Sequence, residues 1–486
     1  MKNVFAKTLQ IVLILLTAGV CSCRKKSDGG KGTIDPPVNS PSQPLKTDIV
    51  TWMTSPDQTS LLQKMNLSLI FDNATNSLPT ITVDTTQNFQ AIDGFGYTLT
   101  GGSATLLNSL NDPVKDDLLK ELFLSDSNRI GVSYLRISIG ASDLSAEPFT
   151  YDDIAYGQQD LILSNFSIER ERKDMIPILK KIIQLNPNIK ILGSPWSAPL
   201  WMKDKNSFVG GSLKPEYYAV YANYLVKYIQ AMKAEGIIID AITPQNEPLH
   251  GGNNPSMVMQ AAEQADFIGK ALGPAFRRAG LATKIISYDH NADRPDYPIA
   301  VLNNSDANSY VDGSAFHLYG GDISALSQVH DAFPAKNVYF TEQWVGGPGN
   351  FGGDLSWHVE NLIIGATRNW SKNVLEWNLA SDPNYNPHTQ GGCNNCLGAL
   401  TIANSVSRNV AYYIIAHASK FVRPGSIRIS SNTVAGLPNV AFKTPAGKKV
   451  LIVLNKGTST QSFNIGFNNK QAVASLAAGA VATFVW

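Results

Sequence analysis

Two glutamates carry the first chemical signal in the chain. Glu247 stands in the run AITPQNEPLH, and Glu342 closes the run Asn337-Val338-Tyr339-Phe340-Thr341. Each follows a short apolar or β-favouring segment that reads as a buried strand. Pro248 cannot continue a parallel ladder and pushes Glu247 away from helical backbone, so the strand stops where the carboxylate appears. Acids at the carboxyl ends of two buried parallel strands occupy the place where a barrel enzyme keeps its reacting groups. Such a pair suits glycoside hydrolysis: one carboxyl protonates the leaving oxygen while the other attacks the anomeric carbon, with the two about 5–5.5 Å apart. On this reading Glu247 is the acid/base and Glu342 the nucleophile. Asn246 can hydrogen-bond the sugar hydroxyl beside the reacting carbon. Either glutamate alone would pass for a turn or a solvated strand end; the two together argue for chemistry.

Further candidates lie on neighbouring strands. His317 and Tyr319, in AFHLYGG at the end of a sixth strand, adjoin the seventh and can orient or tune Glu342. Arg136, in the apolar run YLRISIG, needs an anionic partner if buried, and either Glu342 or a structural acid would serve. Asp143 can accept sugar hydroxyls, and Trp196 and Trp377 can stack on pyranose faces or pack a core. The chain has 7 histidines, none paired at metal-ligand spacing, so neither a metal nor a cofactor is expected.

A barrel must hold these residues. Eight candidate strands are spaced along the chain at 91–99, 133–139, 189–194, 238–244, 284–288, 313–318, 337–341 and 374–378. Amphipathic helices are predicted between and after them at 113–122 (behind Asp112 as N-cap), 168–185, 217–234, 257–279, 355–370 and 410–421. This alternation predicts an α/β fold, a (β/α)₈ barrel over residues 90–424. A doubly wound sheet is disfavoured, because GFGYTLTGG lacks the spacing of a phosphate-binding turn. Strand-like runs precede the barrel (49–53, 67–71, 81–84) and follow it (427–429, 434–437, 440–443, 449–455, 461–465, 480–486). The leading strands, in residues 46–89, are too few to bury a core alone, so they are expected to join residues 425–486 in one side β-sandwich.

Composition bounds the function. A net charge of +1 and 43% hydrophobic residues describe a globular protein without a nucleic-acid footprint. Lys2, Lys7 and the apolar run 11–16 read as an export signal over residues 1–23. Val20 and Ser22 before Cys23 are similar to the lipobox of bacterial lipoproteins, with Cys23 as the lipid anchor. An outer-membrane lipoprotein, on the periplasmic face or the cell surface, is expected; an ordinary cleaved signal is the alternative. Residues 24–45, rich in Pro, Gly and Ser, read as a tether. Cys393 and Cys396 lack the further ligands of a zinc site, and in an exported chain a local disulfide is expected.

The ordered motifs GFGYTLTGGSA, LRISIGASD, GSPWSAPLWMK, TPQNEP, FHLYGG, FTEQWVGG, LEWNLA and HASKFVRPGS resemble glycoside hydrolase family 30. That family includes lysosomal-type glucosylceramidases and microbial endo-β-1,6-glucanases. The resemblance runs from about residue 48 to the C-terminus. It implies a barrel with a side sandwich built from both ends, a retaining mechanism, and no metal. It also implies that Glu247 is the acid/base and Glu342 the nucleophile, supported by Asn246, Arg136, His317 and Tyr319. Asp143, Trp196 and Trp377 would line the glucose subsite. Leu144 and Leu318 stand where the glucosylceramidase pattern has aromatics, and the loop SDPNYNPHTQGGCNNCLG is polar. The chain therefore looks closest to the bacterial β-1,6-glucanase branch, acting as a monomer on a β-glucan polysaccharide or oligosaccharide. The alternatives are a glucosylceramidase-like β-glucosidase, a β-xylosidase or β-fucosidase, or a non-catalytic glycan-binding lipoprotein.

Overall fold

The computed structural model describes residues 45–486. The readings for the export signal, Cys23 and nearly all of the tether lie outside the described residues. Eight parallel strands close a barrel: β1 (Gly94–Thr98), β2 (Tyr134–Ile139), β3 (Lys190–Pro195), β4 (Ala241–Ile242), β5 (Lys284–Ala292), β6 (Val311–Gly321), β7 (Asn337–Glu342) and β8 (Ser371–Asn378). Each strand pairs with the next, and β8 pairs with β1.

A barrel strand turns alternate side chains inward. Tyr134, Leu192, Ala241, Ile286, Ala315, Tyr339 and Leu375 form one apolar layer inside it. Two residues further along their strands stand Arg136, Ser194, Thr243, Tyr288, His317, Thr341 and Trp377. The candidate chemistry thus begins one step above a sealed floor, toward the carboxyl ends of the strands.

The large sheet outside the barrel runs in the order Gln63–Lys64, Val50–Thr54, Val481–Val485, Lys449–Leu454, Asn439–Lys443, Ile427–Ser431, Thr80–Ala91, Gln461–Phe467, Lys470–Leu476. It is a β-sandwich sheet built from both ends of the chain. Thr80–Ala91 joins its two parts, pairing with Gln461–Phe467 near Thr80 and with Ile427–Ser431 toward Ala91. Lys449–Leu454 (KVLIVL) is nearly continuous in apolar residues because both of its faces are covered. Val450, Ile452 and Leu454 join the barrel core, whereas Leu451 and Val453 join the sandwich core. Burying each such side chain contributes roughly 1.5–3 kcal/mol. A polar contact fixes the same interface. His417, on helix Val410–Ser419, lies 2.9 Å from both Thr54 Oγ1 and Thr483 Oγ1, and all three residues are buried.

Several local expectations need correction. Asn111, not Asp112, caps helix Asp112–Phe123: its side chain accepts from Val114 N–H, one residue earlier than Pro113 suggested. Residues 67–71 and 434–437 form no strand; they are held by side-chain and turn hydrogen bonds instead. A strand at Lys470–Leu476 was not predicted, since Gln471 and Ser475 interrupt its apolar pattern. The strand expected at 91–99 is shorter: Ala91 ends the sandwich strand Thr80–Ala91, and β1 starts at Gly94, after Ile92-Asp93. The helix expected from 168 begins as a short 3₁₀ turn and becomes α-helical at Met175. The one expected from 257 starts at Ala261 behind a capping box of Gln260 and Glu263.

Candidate active site

Three irregular strand ends bring acids into one site. β4 makes only a two-residue ladder, but the chain beyond it stays against β3 through Thr243 N–H to Gly193 O (3.0 Å) and Asn246 N–H to Pro195 O (2.8 Å). Glu247 then adopts φ of 43°, a left-handed conformation that is uncommon outside glycine and marks functional turns. Its N–H is held by Asp289 O at 2.9 Å. On β7 the register shifts between Phe340 and Glu342, which lets Glu342 join Thr341 on the site side.

The third irregularity supplies the residue that sequence reasoning missed. In β5, Tyr288 and Asp289 have φ of 75° and 69°, and the register with β6 shifts between Tyr288 and His290. This bulge gives Asp289 the central place that strict alternation would have given Tyr288. The expected strand end at Tyr288 concealed it. The legible signal was an acid at the end of an apolar barrel strand, as at Glu342.

Asp289 is fully buried and saturated. Its Oδ1 accepts from Thr341 Oγ1 (2.6 Å) and faces His317 Nε2 (3.1 Å). Its Oδ2 accepts from Thr243 Oγ1 (2.7 Å), Arg136 Nη2 (2.9 Å) and Ser194 Oγ (3.0 Å). Burial alone would raise its pKa, but Arg136 and the hydrogen bonds from His317 and Thr341 hold it far below the usual carboxylate range. It is a fixed negative charge.

The structure brings Arg136, Asn246, Glu247, His317, Tyr319 and Glu342 into one network. Arg136 is fully buried; Nη1 donates to Glu342 Oε2 at 2.5 Å and Nη2 to Asn246 Oδ1 at 2.6 Å. Because a guanidinium only donates, Asn246 must offer its Oδ1 there, leaving its amide NH₂ for another partner. Tyr319 stands exposed at the rim, with its hydroxyl donating to Glu342 Oε1 at 2.9 Å. His317 Nδ1 lies 3.2 Å from Glu247 Oε1 and 3.8 Å from Glu342 Oε1.

Electrostatics divides the groups. Burial lowers the His317 pKa, but Glu342, Asp289 and Glu247 outweigh it and raise it to about 9. Burial raises Glu247, yet the hydrogen bond and charge of His317 hold it below its ordinary value. Both shifts favour a protonated His317 facing a Glu247 carboxylate, with Nδ1 of His317 in hydrogen-bond reach of Glu247 Oε1 for a proton to pass between them. Burial raises Glu342; His317 and Arg136 pull it back, and the charges of Glu247 and Asp289 leave it raised.

Glu247, His317 and Glu342 each offer a ligand atom, all within 4.8 Å of one another, enough by count to hold a metal. Both His317 nitrogens, however, face carboxylates, Nδ1 at 3.2 Å from Glu247 Oε1 and Nε2 at 3.1 Å from Asp289 Oδ1, which favours the doubly protonated ring over one that ligates an ion. The grouping is built for proton transfer.

A cavity of about 310 Å³ opens over this network, lined in part by Asp143, Trp196, Asn246, Tyr319, Trp344 and Trp377. Gln245 donates to Trp196 O at 2.7 Å, fixing the start of that loop. Trp196 and Trp377 stand 5.5 Å apart, with the Arg136 guanidinium 4.8 Å from the Trp196 ring centre. Asp143 is buried, and its Oδ1 has no hydrogen-bond partner among the described residues. Burial and the charges of Glu342 and Glu247 raise its pKa to about 7. Cys393 and Cys396 form a disulfide, and both line the same cavity.

A glycosyl hydrolase family 30 TIM-barrel domain matches residues 92–422, and the beta sandwich domain of the same family matches residues 425–484. An endo-1,6-beta-D-glucanase, neg1, of Aspergillus fumigatus is 38% identical over 405 residues, which cover 77% of this chain and 81% of that protein. An endo-1,6-beta-D-glucanase of Neurospora crassa is 37% identical over 407 residues, covering 78% and 82%. Among solved structures, the endo-beta1,6-glucanase BT3312 superposes with a TM-score of 0.84 at 35% identity, covering 91% of this chain and 99% of that one. With both domains matched in order, the chain belongs to glycoside hydrolase family 30.

Proposed function

We propose that this glycoside hydrolase cleaves β-1,6-linked glucan, with retention of configuration, through Glu247 and Glu342. The supporting observation is the placing of these carboxyls: one oxygen of each lies within 4.8 Å of the other. Retaining sites hold the pair about 5–5.5 Å apart, whereas inverting sites need about 6.5–9.5 Å to admit a water. The choice of linkage is supported by the likeness to endo-1,6-β-glucanases.

In the first step a Glu342 oxygen attacks the anomeric carbon and the bond to the leaving O6 breaks. The proton between His317 and Glu247 passes through Glu247 to that oxygen. In the second step Glu247, again a carboxylate after passing the proton on, takes a proton from water, whose oxygen displaces Glu342 and frees the sugar. Arg136 and Tyr319 hold the two oxygens of Glu342, so attack follows a fixed line. The free amide of Asn246 meets the neighbouring sugar hydroxyl. Asp143 accepts hydroxyls with its unpartnered oxygen, and Trp196 and Trp377 wall the sugar ring.

The test is product release from purified protein on β-1,6-glucan, β-1,3-glucan, xylan and a glucosylceramide analogue, with Glu342→Gln as control. Cleavage of β-1,6-glucan alone, lost in the control, is the expected result. Cleavage confined to the lipid analogue would move the substrate to a glucosylceramide, and full activity in Glu342→Gln would sink the catalytic assignment. We also propose that the chain is a monomer exported as a lipoprotein and anchored at Cys23. Lipid labelling that survives in Cys23→Ala, or a dimer mass in light scattering, would overturn the respective part.

A further inference from the structure

The segment 389–397 lines the cavity through Cys393 and Cys396 and is tied like a strap to several barrel loops. Thr389 N–H donates to Asp143 O at 2.8 Å, and Asn254 Nδ2 donates to Gln390 O at 3.0 Å. At its far end Gly347 N–H donates to Asn395 O at 2.7 Å, and Cys396-Leu397 pairs antiparallel with Val345-Gly346. The disulfide closes the turn between these anchorages. Cys396 is buried among Leu144, Trp196 and Trp377, with Cys393 packed against the same group. The strap meets Asp143 directly: Cys393 N–H points to Asp143 Oδ2 at 3.4 Å. A Cβ on Gly392 would stand only 2.5 Å from Asp143 O and 3.1 Å from its Cβ, so no larger residue fits there without displacing one of the two.

We propose that the Cys393–Cys396 strap is a positioning element for the sugar subsite, acting through Asp143. By packing Gly392 on the Asp143 backbone and directing the Cys393 N–H at Oδ2, it fixes the carboxyl of a residue that lines the cavity and leaves Oδ1 as its buried acceptor with no partner among the described residues. Without the cross-link the turn loses its closure, and the carboxylate is free to rotate toward solvent. This inference rests on the reading of Asp143 as a sugar-contacting residue. It does not depend on which linkage is cleaved.

The experiment is a set of kinetic cycles on whichever glycan the parent enzyme cleaves. The first compares the parent, Cys393→Ser/Cys396→Ser, Asp143→Asn and the triple variant. A second opens the strap differently: Gly392→Ala keeps the disulfide intact but pushes the backbone off Asp143. Opening the strap either way is expected to lower kcat/KM about tenfold or more, mostly through KM, as for a misplaced binding group. Neither change should lower it further once Asp143 is Asn, because coupled sites are not additive. A strap that only stabilises the fold would give losses that multiply on the Asp143→Asn background. That result would overturn the proposal, as would unchanged kcat/KM in both strap variants or in Asp143→Asn. Failure on β-1,6-glucan with activity on another glycan would refute the linkage assignment and leave the cycles to decide on the strap.

Discussion

Arg136 Nη1 stands 2.5 Å from Glu342 Oε2, joining β2 to β7 through the centre of the barrel. Both groups are buried, and the other terminal nitrogen of the same guanidinium holds Asn246 and Asp289. One planar fork therefore sets the direction of the nucleophile, of the amide beside the sugar, and of the fixed anion. A lysine is a point charge and cannot serve three acceptors at these positions. Arg136→Lys is expected to lower kcat by about a hundredfold or more even where the protein folds, since a misplacement near 1 Å costs that much. Steady-state kinetics beside a thermal melt would check this; parent-like kcat would show that charge alone suffices.

The two glutamates are distinguished by rescue. In Glu342→Ala, azide fills the space of the nucleophile and attacks from its side, so an α-glycosyl azide is expected. In Glu247→Ala, azide replaces the attacking water on the covalent intermediate, giving the β-glycosyl azide. Without azide, Glu342→Ala should lose at least about a thousandfold in kcat. Product anomers in the opposite order would exchange the two roles.

The proton between His317 and Glu247 sets the alkaline limit. The folded pKa of His317 is raised to about 9 from its ordinary 6.5, so folding stabilises the charged form. That contribution is fully present below about pH 6.5 and is lost as pH rises through about 9. Activity and melting temperature should both fall across that window. His317→Gln should flatten the fall in melting temperature, and a parent melting curve level from pH 6.5 to 10 would refute the assignment.

His417 acts in the opposite direction, at the interface of barrel and sandwich. Burial pushes its pKa down to about 3, so the folded state keeps it neutral between Thr54 and Thr483. The unfolded chain binds a proton near pH 6.5, and stability is therefore lost as pH falls from there toward 3. His417→Phe should weaken that acid slope in denaturant titrations, at a cost of about 1–3 kcal/mol at neutral pH for the Thr54 hydroxyl left without its acceptor, since Thr483 keeps its bond to the backbone O of residue 417. An unchanged acid slope in the variant would place the titration elsewhere.

The parts of the fold legible in the sequence were those obeying a simple period. The apolar runs of β2, β3 and β7 were read within a residue or two, because all three are buried on both faces. The short ladder of β4 was read as longer, since Asp240 and Pro244 bracket a run that stays extended with few ladder bonds. Glu247 and Glu342 stood out because each acid ends an apolar strand. Asp289 meets the same description, but a bulge rather than a proline brings it inward, and positive φ at Tyr288 and Asp289 has no signature in SYDHN. The link from the disulfide to Asp143 was also hidden, because it joins loops about 250 residues apart that only barrel closure brings together.

One measurement bears most directly on the two-carboxylate mechanism: proton NMR of the anomer first released from β-1,6-glucan, recorded before mutarotation. Carboxyls this close leave no room for a water between them, so the expected first signal is the β-anomer, with the α-anomer growing in later. An α-anomer appearing first would mean single displacement by water, and Glu342 would not be the nucleophile.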